Sequence, residues 1–296
     1  MQTLSRTTAL LATLCFLINW GAVSIVAAKP FGDDFLGFHW YSNLEQAVRY
    51  PTLVSPARYA FIIWSVIYPT ELIAMVHLLI TSFRSTQVDH TWSQNNLFWI
   101  AANLLQATWS VVFSIDQIEL SALVLVGVAA SLFFMLYNFM PTTTTVTDYI
   151  LLTMPLLIHT GWIVAATLLN INMLALGLPA NWQFGFAWVS ITAILAAGMF
   201  PSISLQGHRR WSAMNVSLLW ALYAISVNLS DAIADTPGAF VPAIWKDLQP
   251  IQQTRLFAAA RGLCVFVGLV TFMNGVLPRN RNREVVVDGD KYVAHI

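Results

Sequence analysis

The sequence predicts an all-α polytopic bundle of about eight membrane-spanning helices, and three observations predict it. Of 296 residues, 57% are hydrophobic and only 9% charged, against about a quarter charged in a soluble domain. Mean hydropathy is +0.66, so a water-soluble fold lacks the polar residues to cover its surface. Apolar runs of about 20 residues, the length a helix needs to cross the hydrocarbon core, recur along nearly the whole chain. They exceed strand length and lack the period-two alternation of barrel strands, which selects helices over a barrel.

The first run extends from Thr7 to Ala28. Arg6 before it and Ala27-Ala28 at its end give it some likeness to a secretory leader. Its length, together with Asn19 and Trp20 inside it, makes it the first span instead. Further runs lie near 58–82, 95–114, 120–140, 148–170, 185–205, 212–229 and 255–277. Two connections are long, Lys29 to Ala57 and Ser230 to Thr254. Pro30, Gly32 and Gly37 punctuate the first, and Pro237-Gly238, Pro242 and Pro250 the second, so neither is a regular helix throughout. An even helix count puts both on one side, over one mouth of the bundle. Arg6, Arg84, Arg209, Arg210, Arg279, Arg281, Arg283 and Lys291 share the other side. Lys29, Arg49, Arg58, Lys246 and Arg255 lie mostly in the long loops among acids, so the termini are expected on the cytoplasmic side or its equivalent. The polar stretch 278–296 reads as a solvated tail.

Charge and motifs remove several function classes. Net charge is zero and the basic residues are scattered, so no face tracks phosphates and nucleic acid is not an expected partner. Cys15 and Cys264 both sit in apolar runs, where a thiol behaves as a small hydrophobe, and two cysteines exclude a cysteine-rich metal site. There is no Gly-x-Ser-x-Gly elbow, no His-Glu-x-x-His, no phosphate-cradling glycine loop and no histidine cluster with paired carboxylates. No catalytic residue or metal ligand is assigned, no cofactor is required, and an enzyme is the weaker reading.

Twelve tryptophans remain to be explained. Interfacial aromatic belts account for Trp40, Trp92, Trp182 and Trp245. Trp64, Trp109 and Trp162 fall inside spans, where they either pack helices or line a flat apolar pocket with indole N–H groups available to orient a ligand. Trp64 and Tyr68, four apart, stack on one helix face, and His159 and Trp162, three apart, share another. Glu71, His77, Gln106, Asn138, His159, Asn170, Asn215 and Arg261 are costly against lipid and face the bundle or a cavity. Hydrogen bonding between helices is their plainest role. A lone histidine within a helix is more often a satisfied core group than a metal ligand. Arg261 is expected to snorkel or to pair with Glu71 or Asp231, and Ala258-x-x-x-Gly262 to permit close helix approach.

Three fragments carry a family resemblance. Ser55-Pro56-Ala57-Arg58-Tyr59-Ala60-Phe61-Ile62-Ile63-Trp64, with Tyr68 and Glu71, enters the second span. Trp109-Ser110 and Phe113, with Gln106 three residues earlier, lie in the third. Trp162, Ala166-Thr167 and Leu169-Asn170 close the fifth. In this order they resemble the tryptophan-rich sensory protein and translocator protein (TspO/MBR) family, in its longer-chain branch with extra helices. The resemblance covers about Leu4 to Asn172, giving a TspO-like five-helix region over 1–172 and an additional three-helix region over 173–277. It implies a hydrophobic ligand, a tetrapyrrole, a sterol or an isoprenoid-like molecule, held among spans one, two, three and five beneath the first long loop. The candidate ligand-binding residues are Trp64, Tyr68, Gln106, Trp109, His159, Trp162, Ala166 and Asn170. The other readings are a secondary carrier using Glu71, His77 and Arg261, with Pro69, Pro155 and Pro201 kinking their helices, and a membrane enzyme or assembly subunit acting on a pigment or lipid precursor. Expected partners are the hydrophobic small molecule, the bilayer, and a second copy or a larger membrane complex.

Overall fold

The computed structural model describes residues 5–84, 90–139, 146–204 and 212–276. Arg209, Arg210, Trp211, the arginines at 279, 281 and 283, Lys291 and the tail lie outside them, as do the side chains of Trp92 and Pro201.

Among the described residues, eight helices are long and apolar enough to cross a membrane, the number the hydropathy pattern predicts. Helix α1 (Arg6–Ala28) starts where the Ser5 side chain accepts from the Thr8 N–H and stops at Lys29, whose backbone turns left-handed at φ +46°. A two-residue hairpin, β1 (Asp34–Phe35) with β2 (Phe38–His39), opens the first long loop. Helix α2 (Asn43–Arg49) follows, set by a reciprocal capping box between Ser42 and Glu45. A 3-10 segment (Arg58–Ile63) then runs directly into α3 (Trp64–Phe83). The chain continues through α4 (His90–Ser114), α5 (Ile118–Phe139), the single turn α6 (Val146–Asp148) and a π turn (Tyr149–Thr153) that feeds α7 (Met154–Met173). Pro155 has no N–H to give, and it stands inside the continuous helix Val146–Met173 directly after the π turn Tyr149–Thr153, a local irregularity of the kind that accommodates a missing donor. Helices α8 (Ala180–Ser204), α9 (Ser212–Ile233) and α10 (Pro250–Val276) complete the bundle, with a 3-10 turn (Ala243–Asp247) in the second long loop.

Helix α7 is the hub. It packs against α3, α5, α8 and α9, while α10 packs mainly on α9. Two-thirds of the span Val146–Met173 is buried inside the protein (67%), against 17% for Pro250–Phe272, so α7 is a core helix and α10 an outer one. Gly161 allows the tight α7–α9 approach, since a Cβ there would stand 2.6 Å from the Met214 carbonyl oxygen. The expected approach at Ala258 and Gly262 is not made: both are exposed, and nothing lies within 4 Å of a Cβ built on Gly262.

Both long loops fall on one side and are tied together at α9. Asn228 donates to the Ser55 carbonyl of the first loop (3.1 Å) and to the Phe240 carbonyl of the second (3.0 Å), and accepts from the Phe240 N–H. The Ala57 N–H donates to the Ala224 carbonyl at 3.0 Å. Trp220 donates through its indole to the Ala60 carbonyl at 2.9 Å. Trp245 is buried in the core cluster at 6% exposure and is not an interfacial residue, because its 3-10 turn folds it under the loop. Trp182, 61% exposed, does occupy a surface position.

Candidate ligand pocket

The Trp64–Tyr68 spacing predicted stacking, and the rings form one chain from Trp20 to Phe61 and a separate pair on α4. Trp64 stacks on Tyr68 (centroids 5.3 Å, planes 20° apart), and Tyr68 stacks in turn on Trp20 of α1 (6.1 Å). Trp162 meets Trp64 edge-on at 6.2 Å and Phe61 at 6.1 Å. Trp109 stacks on Phe113 at 5.2 Å. Such offset and edge-on pairs match the positive ring edge to the negative ring face.

Where these rings end, a cavity of about 40 Å³ remains. Trp64, Trp109, Trp162, Ala166 and Asn170 line it, five of the eight candidate residues. Ala165, Leu169 and Met173 of α7, Phe113 of α4, and Ala221 and Ile225 of α9 complete its walls. The first long loop roofs it with Asn43 and Ala47 of α2 and with Val54 and Pro56, and the 3-10 segment after it adds Phe61. Span one, expected to contribute, supplies none of the lining, and span seven does so instead, because α9 and not α1 packs beside the upper part of α7.

The lining carries no ionisable side chain. Its polar features are amides and indoles. Asn170 accepts from the Trp109 indole (3.0 Å) and from the Ser121 hydroxyl (3.2 Å). The Trp162 indole N–H and the Asn43 side-chain oxygen have no partner in the protein. A lone N–H donor and a lone acceptor on otherwise apolar walls suit an uncharged ligand face with one or two polar atoms.

The remaining three candidates sit one layer deeper. Gln106 donates to the Tyr68 hydroxyl at 3.1 Å. His159 is held through Nδ1 on Glu71 at 2.6 Å, both fully buried. The Trp64 ring separates this layer from the cavity, touching the His159 ring edge-on at 5.9 Å.

The lid is latched by charge. Asp116, in the turn between α4 and α5, accepts from Tyr50 (2.7 Å), Gln46 (3.1 Å) and Arg49 (3.0 Å). Partial burial raises the Asp116 carboxyl, but the hydrogen bonds from Tyr50 and Gln46 and the Arg49 charge outweigh it and hold the group below its ordinary value. Gln46 also donates to the Phe113 carbonyl at 2.6 Å, joining the lid to a pocket-wall residue. At the other end of α2, Lys29 bridges Glu45 (2.5 Å) and Asp33 (2.8 Å). The hydrogen bond from Lys29 pulls the Glu45 carboxyl down to about 2.

The carrier set is not assembled. Arg261 is exposed, reaching Ser226 at 3.3 Å and lying over the Tyr223 ring, while Glu71 is committed to His159. His77 is half-buried six residues, about 1.7 turns, farther along α3.

The family model described as TSPO-like protein matches residues 12–245. The chain belongs to that family. It is a TspO-type, multi-pass integral membrane protein, and the family match runs from α1 through α9. No curated protein and no solved structure matches the chain. In this TSPO-like protein, the lid residues Asn43 and Ala47 of α2 and the wall residues Ala221 and Ile225 of α9 are parts of the pocket that the three resemblance fragments pass over. The pattern Ser42-x-x-Glu45 is a readable helix-start signal, so α2 itself was detectable.

Proposed function

We propose that this TSPO-like protein binds a flat hydrophobic ligand, a tetrapyrrole, sterol or isoprenoid-like molecule, in the aromatic pocket beneath α2, and hands it between the bilayer and the loop side. The observation that carries this reading is the convergence of Trp64, Trp109 and Trp162, from three helices, on one uncharged cavity under a latched lid. A cavity of about 40 Å³ holds a few waters at most, a single water needing about 10–15 Å³. Sites for drug-sized ligands span about 300–1,000 Å³. By this reading, ligand entry requires α2 and the loop after it to swing away. A ligand bearing carboxylates finds no cation in the lining and has to leave its acids at the lid, where Arg49 stands.

The test is a titration of the purified chain in nanodiscs with protoporphyrin IX, following tryptophan quenching and thermal stability. A ligand that binds only the folded state raises its stability, by about 2.7 kcal/mol at a hundredfold excess over Kd. Saturable quenching with a rise in Tm supports the reading. Unsaturable quenching with no change in Tm, repeated with a sterol probe, contradicts it.

A further inference from the structure

Below the pocket runs a buried polar column that ligand packing alone does not use. On α4, Asn96, Asn103, Gln106 and Ser110 recur at intervals of seven, three and four, which places them on one helix face. All four are buried. From 96 to 110 the helix rises about 21 Å, most of the roughly 30 Å hydrocarbon thickness. Asn96 donates to the Thr8 carbonyl (3.1 Å), Asn19 to the Asn103 side-chain oxygen (3.0 Å) and Gln106 to the Tyr68 hydroxyl (3.1 Å). Glu71, one turn beyond Tyr68 on α3, meets His159 at 2.6 Å, and the two side chains are 0% and 1% exposed.

These groups do more than fasten helices. Asn96 Oδ1, Asn19 Oδ1, Gln106 Oε1, Ser110 Oγ, Glu71 Oε2 and His159 Nε2 are all buried with no partner in the protein. Buried polar atoms are almost always met by protein or by ordered water, and a polar lining of this kind is where water enters a protein interior. A carboxyl and an imidazole sharing one dissociable proton carry no net charge, which burial favours over the pair charged either way. The outer atoms through which that proton is gained or lost are Glu71 Oε2 and His159 Nε2, the two left open.

We propose that Glu71 and His159 form an intramembrane proton-binding site, supplied with water along the polar face of α4. The site shares a wall with the ligand pocket, since Trp64 lines the cavity and touches the His159 ring. The elements packed around the pair carry few other ionisable groups in their spans. Tyr68 and His77 stand on α3 itself, Cys15 on α1 and Tyr149 in the π turn. The 3-10 segment leading into α3 holds Arg58 and Tyr59, both exposed. Helix α4 offers none between Asn95 and Ser114, and α8 none between Ala180 and Met199. Helix α5 carries Glu119 and Tyr137, both exposed, and α9 carries exposed Tyr223 and half-buried Asp231.

The experiment needs no ligand, so this proposal and the pocket reading fail separately. The full chain, labelled with 15N-histidine and 13C at the glutamate carboxyl, is placed in nanodiscs, and solid-state NMR selects histidine nitrogens in contact with a glutamate carboxyl. Among the described residues that filter isolates Glu71–His159, because His39 pairs with Asp34. Across a wide pH range, the Nε2 or carboxyl signal is expected to move reversibly between its protonated and deprotonated positions. In Glu71→Gln the His159 response to pH is expected to change while the His39 and His77 signals behave as in the unaltered chain. A pair whose signals do not move over this range is a fixed structural contact, and a His159 response unchanged in Glu71→Gln means the carboxyl takes no part. Either result overturns the proposal.

Discussion

Among the described glycines, Gly161 is the one at which packing is least forgiving. A methyl group there runs into the Met214 backbone oxygen at 2.6 Å and the Ser217 side chain, and a helix backbone cannot yield as a flexible side chain does. Gly161→Ala is expected to destabilise the fold by about 1–3 kcal/mol, the usual cost of overpacking. Gly21→Ala, with nothing within 4 Å, is expected to be neutral or slightly stabilising in mid-helix. Reversible unfolding in mixed micelles compares the two. The sequence offered the Ala258–Gly262 pair as the close approach and gave no sign of Gly161, because a lone helical glycine carries no periodic signal. The same limit applies to His159. Its three-residue spacing from Trp162 was legible, but its partner Glu71 lies 88 positions away, and only the tertiary fold brings them together. The Trp64–Tyr68 stack was legible because a four-residue spacing on a helix fixes the neighbour.

Among the elements, α2 roofs the pocket, and under the proposed function its stability sets access. It has seven residues, too few to be stable alone, so it depends on its capping box and on the latches to Asp116 and Lys29. Asp116→Asn removes the charge that gathers Tyr50, Gln46 and Arg49. A spin label at Leu44→Cys is expected to gain mobility in that variant at neutral pH, while the spans keep their helicity. In the unaltered latch, acid does the same. The Glu45 carboxyl is depressed to about 2 from an ordinary 4.5, so its contribution is complete above about pH 4.5 and is lost as the pH falls toward about 2. Asp116, also depressed, acts in the same direction. The label should therefore loosen on acidification through that window and tighten on return. An immobile label throughout would mean that packing alone holds the lid. The spans were legible as elements from their hydropathy, whereas the short lid was written only in a four-residue cap pattern inside a loop rich in glycine and proline.

At the scale of the whole molecule, the two long loops and α9 act as one roof. Asn228 makes three hydrogen bonds that join them, and Asn228→Ala leaves buried backbone groups unmet at about 1–3 kcal/mol each. The expected result is a lower Tm and faster proteolysis of both loops together; loss of order in one loop alone would show that they are independent. The bundle's helix count and the side on which the loops meet followed from the sequence. The identity of the helix that closes the pocket did not, because hydropathy states that a segment spans without stating its neighbours, and α9 was read as an extension beyond the site. The central claim is that Trp64 and Trp162 form the walls of a ligand pocket, and the most direct measurement of it is the Kd for protoporphyrin IX of Trp64→Ala, Trp162→Ala and, as the surface control, Trp182→Ala. The account predicts that each pocket variant weakens binding at least about tenfold, a difference of about 1.4 kcal/mol, while Trp182→Ala binds as the unaltered chain does. Equal affinity in all three, in folded samples, would contradict it.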